Sequence, residues 1–257
     1  MAIIGGNPAI AVRNSTTKQI IYIRANDNNG TVWGTPYAAA IGKAGIALAE
    51  INGLPAISHS WDNGGNPGNP NTPTYQLDLR YVRALNVAGS SWSSAVTVAT
   101  YGQNYTMNQT ALLVVAGNPA IFYHLGEPQI PNLAPIRPWF VRANDVNGAG
   151  WGAPVNVFPF GTMAGDFAAA VVNGQPALAW HLIEGDLIKL SLSANNGTSF
   201  FAVDAFKRGD FSSSFLFSLA QIQGQPALTY SDGGELFYLR DQTSPPDTHI
   251  NWIAVEP

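Results

Sequence analysis

Thirteen residues from Arg24, RANDNNGTVWGTP, are respelled almost letter for letter from Arg142 as RANDVNGAGWGAP, and a blurred third copy, RALNVAGSSWSSA, starts at Arg83. A second motif recurs beside the first: GGNPAI (Gly5 to Ile10), NGLPAI (Asn52 to Ile57), AGNPAI (Ala116 to Ile121), NGQPAL (Asn173 to Leu178) and QGQPAL (Gln223 to Leu228). Their prolines, Pro8, Pro55, Pro119, Pro176 and Pro226, return roughly every fifty residues, the period of a supersecondary unit that buries its apolar faces only by stacking on its neighbours. One copy of the first motif follows each proline and ends on an aromatic: Trp33, Trp92, Trp151, Phe200 or Trp252.

Inside a unit the hydrophobic period is two, which belongs to strands. In the second unit AGIALAEI (Ala44 to Ile51) reads as a first strand, and Asn52-Gly53 as a hairpin turn that favours positive φ. PAISHSW (Pro55 to Trp61), LDLRYVRA (Leu77 to Ala84) and SAVTVA (Ser94 to Ala99) follow as strands two to four. Proline at the start of the second strand costs the ladder little, and the alanine after it in all five copies implies close approach of neighbouring sheets. Five four-stranded antiparallel meanders stack most readily about an axis, so the expected fold is an all-β, five-bladed β-propeller. It forms one domain, with blades at about 1–42, 43–106, 107–164, 165–210 and 211–257, none of them mixing strands from both ends of the chain.

The turn between third and fourth strands resembles the Asp-box of sialidase-type propellers: Ser/Thr, any, Asp, any, Gly, any, Thr, aromatic. Ser193, Asn195, Gly197, Ser199 and Phe200 match it best, while Asn26, Asn28, Gly30 and Trp33, and Gly148 with Trp151, take the same offsets. On this alignment Asn28, Val87, Val146 and Asn195 stand where the box has Asp, a degenerate form. The turn reads as a structural staple: glycine supplies its special backbone conformation, Asn or Asp ties it by side-chain hydrogen bonds, and the aromatic covers the blade beneath. Arg24, Arg83, Arg142 and Arg240 recur on the third strand and read as scaffold, Arg24 pairing with Asp27 and Arg142 with Asp145.

In a meander the constant turns lie at one end of the blade and the variable loops, 61–76, 100–108, 124–138, 158–166 and 204–212, at the other. Recognition is usually built on such loops over a rigid scaffold. The candidate ligand-binding residues are those ending the second strands there: Arg13, His59, Trp61, Tyr123, His124, Trp180, His181, Tyr230 and Asp232. Aromatics beside His or an acid suit sugar rings or protein side chains, although packing between blades accounts equally for Tyr123, Trp180 and Tyr230. His59 lies four residues past its proline, and His124 and His181 five past theirs, so strand alternation sends them to opposite faces. No metal or other cofactor is expected.

Only 11% of the residues are charged, the net charge is −4, and there are 12 Lys and Arg, which is no footprint for nucleic acid. Without cysteine there is no disulfide, thiolate metal site or cysteine nucleophile. The longest apolar run, FAAAVV from Phe167, is too short to span a bilayer. MAIIGGNPAI is no signal peptide, so the reading is an extracellular or cell-surface protein whose leader has been removed, or a cytoplasmic one. Five Asn-x-Ser/Thr sequons, at Asn14, Asn29, Asn104, Asn108 and Asn196, are what Asn-rich turns produce by chance.

The principal expectation is a non-catalytic recognition or assembly module that binds a glycan or protein. Its alternative is a sialidase-like glycoside hydrolase, with Arg13, Arg80, Arg137 and Arg208 to clamp a carboxylate and Asp62, Glu127, Glu184, Asp186 and Asp232 as acids or bases. A further alternative is a structural subunit of a larger extracellular assembly.

Overall fold

In a computed structural model the described residues are 1–64, 75–102, 104–128, 135–207, 217–232, 235–241 and 252–255. They form five four-stranded antiparallel sheets, the make-up of a five-bladed β-propeller. Sheet one holds β1 (Ala2–Ile4), β2 (Asn7–Arg13), β3 (Gln19–Arg24) and β4 (Tyr37–Ile41). Sheet two holds β5 (Ala47–Ile51), β6 (Leu54–Asp62), β7 (Leu77–Arg83) and β8 (Val96–Tyr101). Sheet three holds β9 (Thr110–Val115), β10 (Asn118–Gly126), β11 (Ile136–Arg142) and β12 (Val155–Asn156). Sheet four holds β13 (Met163–Val172), β14 (Gln175–Leu182), β15 (Leu187–Leu192) and β16 (Phe201–Lys207), and sheet five β17 (Phe217–Ile222), β18 (Gln225–Asp232), β19 (Glu235–Asp241) and β20 (Trp252–Val255). Each sheet takes its strands in chain order, so the first is built wholly from the start of the chain and the fifth from its end.

The chain divides into two compact units, Met1–Ala134 with Val141–Pro154, and Pro135–Phe140 with Val155–Pro257. In the first, β5 lies beside β1 and β9, and Ile4, Ala9, Ile20, Tyr22, Ile57 and Val82 close a core between sheets one and two. In the second, β13 lies beside β17, and Ala177, Ala179, Leu190, Leu219, Leu228 and Leu239 fill the core. The repeated alanines, Ala9, Ala56, Ala120, Ala177 and Ala227, are all buried, as close approach of the sheets requires. Asn52 and Gly53 both have positive φ, 47° and 74°, the primed hairpin turn expected of that pair.

The corner turns act as staples, in three respects. The side chains that tie these turns in sheets one and three are Asp27 and Asp145, each one residue before the aligned positions Asn28 and Val146. Asp27 accepts the amides of Asn29 (2.9 Å), Thr31 (3.1 Å) and Val32 (2.7 Å), and Asp145 those of Asn147 (2.9 Å) and Gly150 (3.0 Å). Asn86 and Asn195 do the same for Ser90 and Ser199. Backbone amides, those of Thr31 and Gly150 foremost, hold the Asp27 and Asp145 carboxyls below the usual carboxylate range.

Secondly, the blade that each aromatic covers is the neighbouring one. Trp92 meets Tyr22 edge-on at 5.4 Å, Trp151 meets Tyr81 at 5.3 Å, and Phe200 meets Phe140 at 5.3 Å. Gly148 has φ 75° and no room for a side chain, since a Cβ there would lie 2.6 Å from Tyr81 Cε1. Thirdly, the repeated arginines are scaffold, but their partners are carbonyls of the first hairpin in each sheet, not the turn aspartates. Arg24 donates to Ile4 and Gly5, Arg83 to Ile51 and Asn52, and Arg142 to Val115 and Ala116.

Candidate functional site

At the loop end of sheets one and two, a cleft of about 250 Å³ is lined by Arg13, Lys18, Ile41, Gly42, Lys43, Trp61 and Asp62. Local backbone bonding explains why these residues meet. Asn14 accepts the amides of Thr16 (2.9 Å) and Thr17 (3.0 Å), closing a short hairpin that returns Lys18, at φ 63°, to the neighbourhood of Arg13. The linker from β4 to β5 is then pinned on both sides: Gly42 N donates to Lys18 O (3.0 Å) and Lys43 N to Ser60 O (2.7 Å). Arg13 Nε donates to Gly42 O at 2.8 Å, so the arginine and the linker hold one another.

His59, Trp61, Asp78 and Arg80 share one face of sheet two, because His59 pairs with Arg80 and Trp61 with Asp78 across β6 and β7. Asp78 is buried. Its Oδ2 accepts Arg80 Nη2 (2.8 Å) and Nε (3.1 Å), and its Oδ1 accepts Gln76 Nε2 (2.8 Å) and Thr100 Oγ1 (2.9 Å). Arg80, fixed in this way, lays its guanidinium over the Trp61 ring at 3.5 Å. Asp62 is a quarter exposed, and its Oδ2 lies 2.8 Å from Lys43 Nζ, which also donates to Tyr75 OH at 3.0 Å. Lys43 is desolvated, yet the bonds to Asp62 and Tyr75 prevail and raise its pKa, so it stays charged.

Beneath the linker His59 is wholly buried, with Nδ1 donating to Ser60 O (3.1 Å) and Nε2 without a partner among the described residues. Burial pulls its pKa down from 6.5 to about 4. Gly42 is required above it: a Cβ at residue 42 would sit 2.8 Å from His59 Nδ1.

Of the candidate residues, Arg13 and Trp61 thus line one cleft with His59 under it. The rest are placed otherwise. Tyr123 is buried and shares a 2.6 Å hydroxyl bond with Tyr101, and His124 Nε2 accepts the amide of Asn108. In the second unit, Trp180 is buried with Nε1 donating to Ser191 Oγ (3.0 Å), His181 pairs with Asp186 (2.8 Å), and Tyr230 is buried against Phe237 at 4.9 Å. Tyr123, Trp180 and Tyr230 are therefore core, and as ligand contacts they are corrected. Asp232 ends β18, its side chain outside the described residues, as is Arg208. Arg80 is committed to Asp78 and Trp61 instead of standing free as a clamp. Lys18, Gly42 and Lys43 belong to no repeated motif; the Asn14 turn and the short β4–β5 linker are the features that bring them in.

No family model matches the chain, and no curated protein matches its sequence. Solved structures do. An ulvan lyase, a polysaccharide lyase, matches at TM-score 0.59 and 12% identity over 93% of this chain and 62% of the lyase. NanB sialidase from Streptococcus pneumoniae matches at 0.57 and 10% over 95% and 58%, and Trypanosoma rangeli sialidase, in complex with sialic acid, at 0.58 and 13% over 98% and 42%. The chain thus spans about three-fifths of the lyase's length, and the likeness is one of fold. All three of these neighbours are enzymes, so the expectation of a non-catalytic module is withdrawn.

Proposed function

We propose that the chain is a glycan-cleaving enzyme, a sialidase-like glycoside hydrolase, and that cleavage takes place in the Arg13–Lys43–Trp61–Asp62 cleft. The observation that carries this reading is the pairing of a partly exposed carboxylate, Asp62, with a fixed tryptophan in one cleft at the loop end. Hydrolysis of a glycosidic bond needs one group that transfers a proton at the bridging oxygen and a second that attacks the sugar or activates the water that takes the place of the leaving group. Asp62 takes the first role, and Trp61 carries the apolar face of the sugar ring. A cleft of about 250 Å³ is smaller than the ~300–1,000 Å³ that encloses a drug-sized ligand, so it seats one unit of a glycan chain. The carbohydrate-processing neighbours of this fold support the same class of substrate.

The test is turnover of a panel of sialosides, xylosides and uronate-containing polysaccharides, read both as new reducing ends and as ultraviolet-absorbing unsaturated product. A hydrolase gives reducing ends without the unsaturated product. Asp62→Asn should lower kcat by about 10²–10⁴-fold with KM little changed. A chain that cleaves nothing on the panel, or an Asp62→Asn variant with unaltered kcat, overturns the reading.

A further inference from the structure

Resting on that reading, we infer that the glycan has a second seat on sheet two, outside the cleft: a neutral sugar unit of the same chain lies on the paired rings of Tyr101 and Tyr105.

The ladder places the pair. Asp62 stands opposite Leu77, and Leu77 opposite Tyr101, so alternation turns these three to one face of sheet two and Trp61 with Asp78 to the other. Tyr101 ends β8, and its hydroxyl shares a 2.6 Å bond with that of the buried Tyr123 on β10. Thr106 exchanges two backbone bonds with Gly126, at 3.0 and 2.9 Å, which fixes the residue before it. The Tyr105 ring accordingly rests 5.4 Å from that of Tyr101, tilted by 38°. Both rings stay partly exposed, whereas Tyr123 behind them is wholly covered. Two held aromatics left at the surface form a ready platform for the apolar face of a sugar.

The surroundings select the kind of sugar. From Ala84 to Gly126 the chain carries no Asp, Glu, Lys or Arg, and the first charge beyond is an acid, Glu127. Asn104 and Thr106, which flank Tyr105, are exposed. Amide and hydroxyl groups exchange hydrogen bonds with sugar hydroxyls, and this stretch offers an ionised substituent no counter-charge.

Spacing sets the length of the ligand. Neighbouring strands lie ~4.8 Å apart, which puts the backbone of Tyr101 ~10 Å from that of Asp62, two strands away. Leu77 between them is wholly buried, so the cleft and the tyrosine pair are separate seats at one end of the sheet. A disaccharide fills one seat. A chain of several units reaches both, and the second contact adds affinity because the first has already brought it near.

Calorimetric titration of the full-length Asp62→Asn chain tests this without turnover, with the di- and hexasaccharides of xylose, of glucose and of N-acetylglucosamine as probes. At least one hexasaccharide should bind about tenfold or more tighter than its disaccharide. Tyr105→Ala should remove that gain and leave the disaccharide affinity as it was, whereas Tyr105→Phe, which keeps the ring, should retain most of it. Thermal melts of both variants show whether each is folded. Hexasaccharides that bind no tighter than disaccharides, binding of none, or a gain untouched by Tyr105→Ala overturns the inference. The two proposals fail separately: a hexasaccharide held through Tyr105 but not cleaved by the unsubstituted chain removes the enzyme reading alone. Cleavage equally fast on short and long substrates, and indifferent to Tyr105→Ala, removes this inference alone.

Discussion

The guanidinium carbon of Arg80 lies 3.5 Å from the centre of the Trp61 ring, and Asp78, directly across the ladder from Trp61, holds it there through two nitrogens. The tryptophan therefore rests on a cation whose position is set by a buried carboxylate. Asp78→Ala leaves Arg80 unmatched and Gln76 and Thr100 without their acceptor. Removing one partner of a fully buried pair costs ~3–5 kcal/mol; because about a quarter of the Arg80 side chain is exposed, the expected loss is about 2 kcal/mol. Urea unfolding should show it as a lower midpoint at unchanged slope, and an unmoved midpoint would contradict the argument.

Gly148 and Gly53 separate packing from backbone strain. Both have positive φ, 75° and 74°, but a Cβ at 148 strikes Tyr81 whereas a Cβ at 53 meets nothing within 4 Å. Gly53→Ala should cost about 1 kcal/mol, the strain of the left-handed region alone. Gly148→Ala adds overpacking of ~1–3 kcal/mol. Parallel thermal melts check the gap, and equal losses would show that the staple does not depend on close approach.

These staples also show what the sequence could and could not reveal. The period of the Pro-Ala motif was enough for five sheets, since each copy carries its own turn glycine and proline, which act locally. The Asp27 and Asp145 roles are not legible from the motif because a side chain capping a turn is defined by which amides it reaches, and an extra residue shifts those amides without changing the motif's look. Arg24 and Arg142 were read toward near neighbours in sequence, while antiparallel pairing brings the first hairpin's carbonyls closer. Trp61 and Arg13 were legible as strand-end residues. Lys18 and Lys43 join them through backbone bonds of the β4–β5 linker, and Asp78 through its place across the ladder from Trp61, relations with no sequence period.

Arg142 holds the carbonyls of Val115 and Ala116 at 2.8 and 3.1 Å, bracing a turn in which Ala116, not glycine, adopts φ 46°. Arg142→Met should lower stability by about 1–3 kcal/mol through loss of two charge-assisted bonds. Arg142→Lys should recover less than half, because a single ammonium does not reproduce the guanidinium fork. Differential scanning calorimetry distinguishes the two, and full recovery with lysine would mean that charge alone sufficed.

His59 gives the fold a dependence on pH of definite sign. Desolvation lowers its pKa from 6.5 to about 4, so between those values the unfolded chain binds a proton that the folded chain does not. Stability contributed by the neutral imidazole is complete above about pH 6.5 and is lost as pH falls toward 4, by about 3 kcal/mol in all. Asp27 and Asp145, depressed as well, lose theirs at lower pH, as the folded chain takes up protons below the ordinary carboxylate range. Denaturation midpoints measured from pH 7 to 4 should fall for the parent chain and fall much less for His59→Gln. Parallel curves would remove His59 as the cause.

The most direct measurement is a crystal structure of the Asp62→Asn chain with an oligosaccharide that the unsubstituted chain cleaves. The account predicts a sugar ring lying on Trp61 and the bridging oxygen within hydrogen-bond reach, about 3 Å, of residue 62. A sugar bound elsewhere, with the Arg13–Trp61 cleft empty, would contradict it.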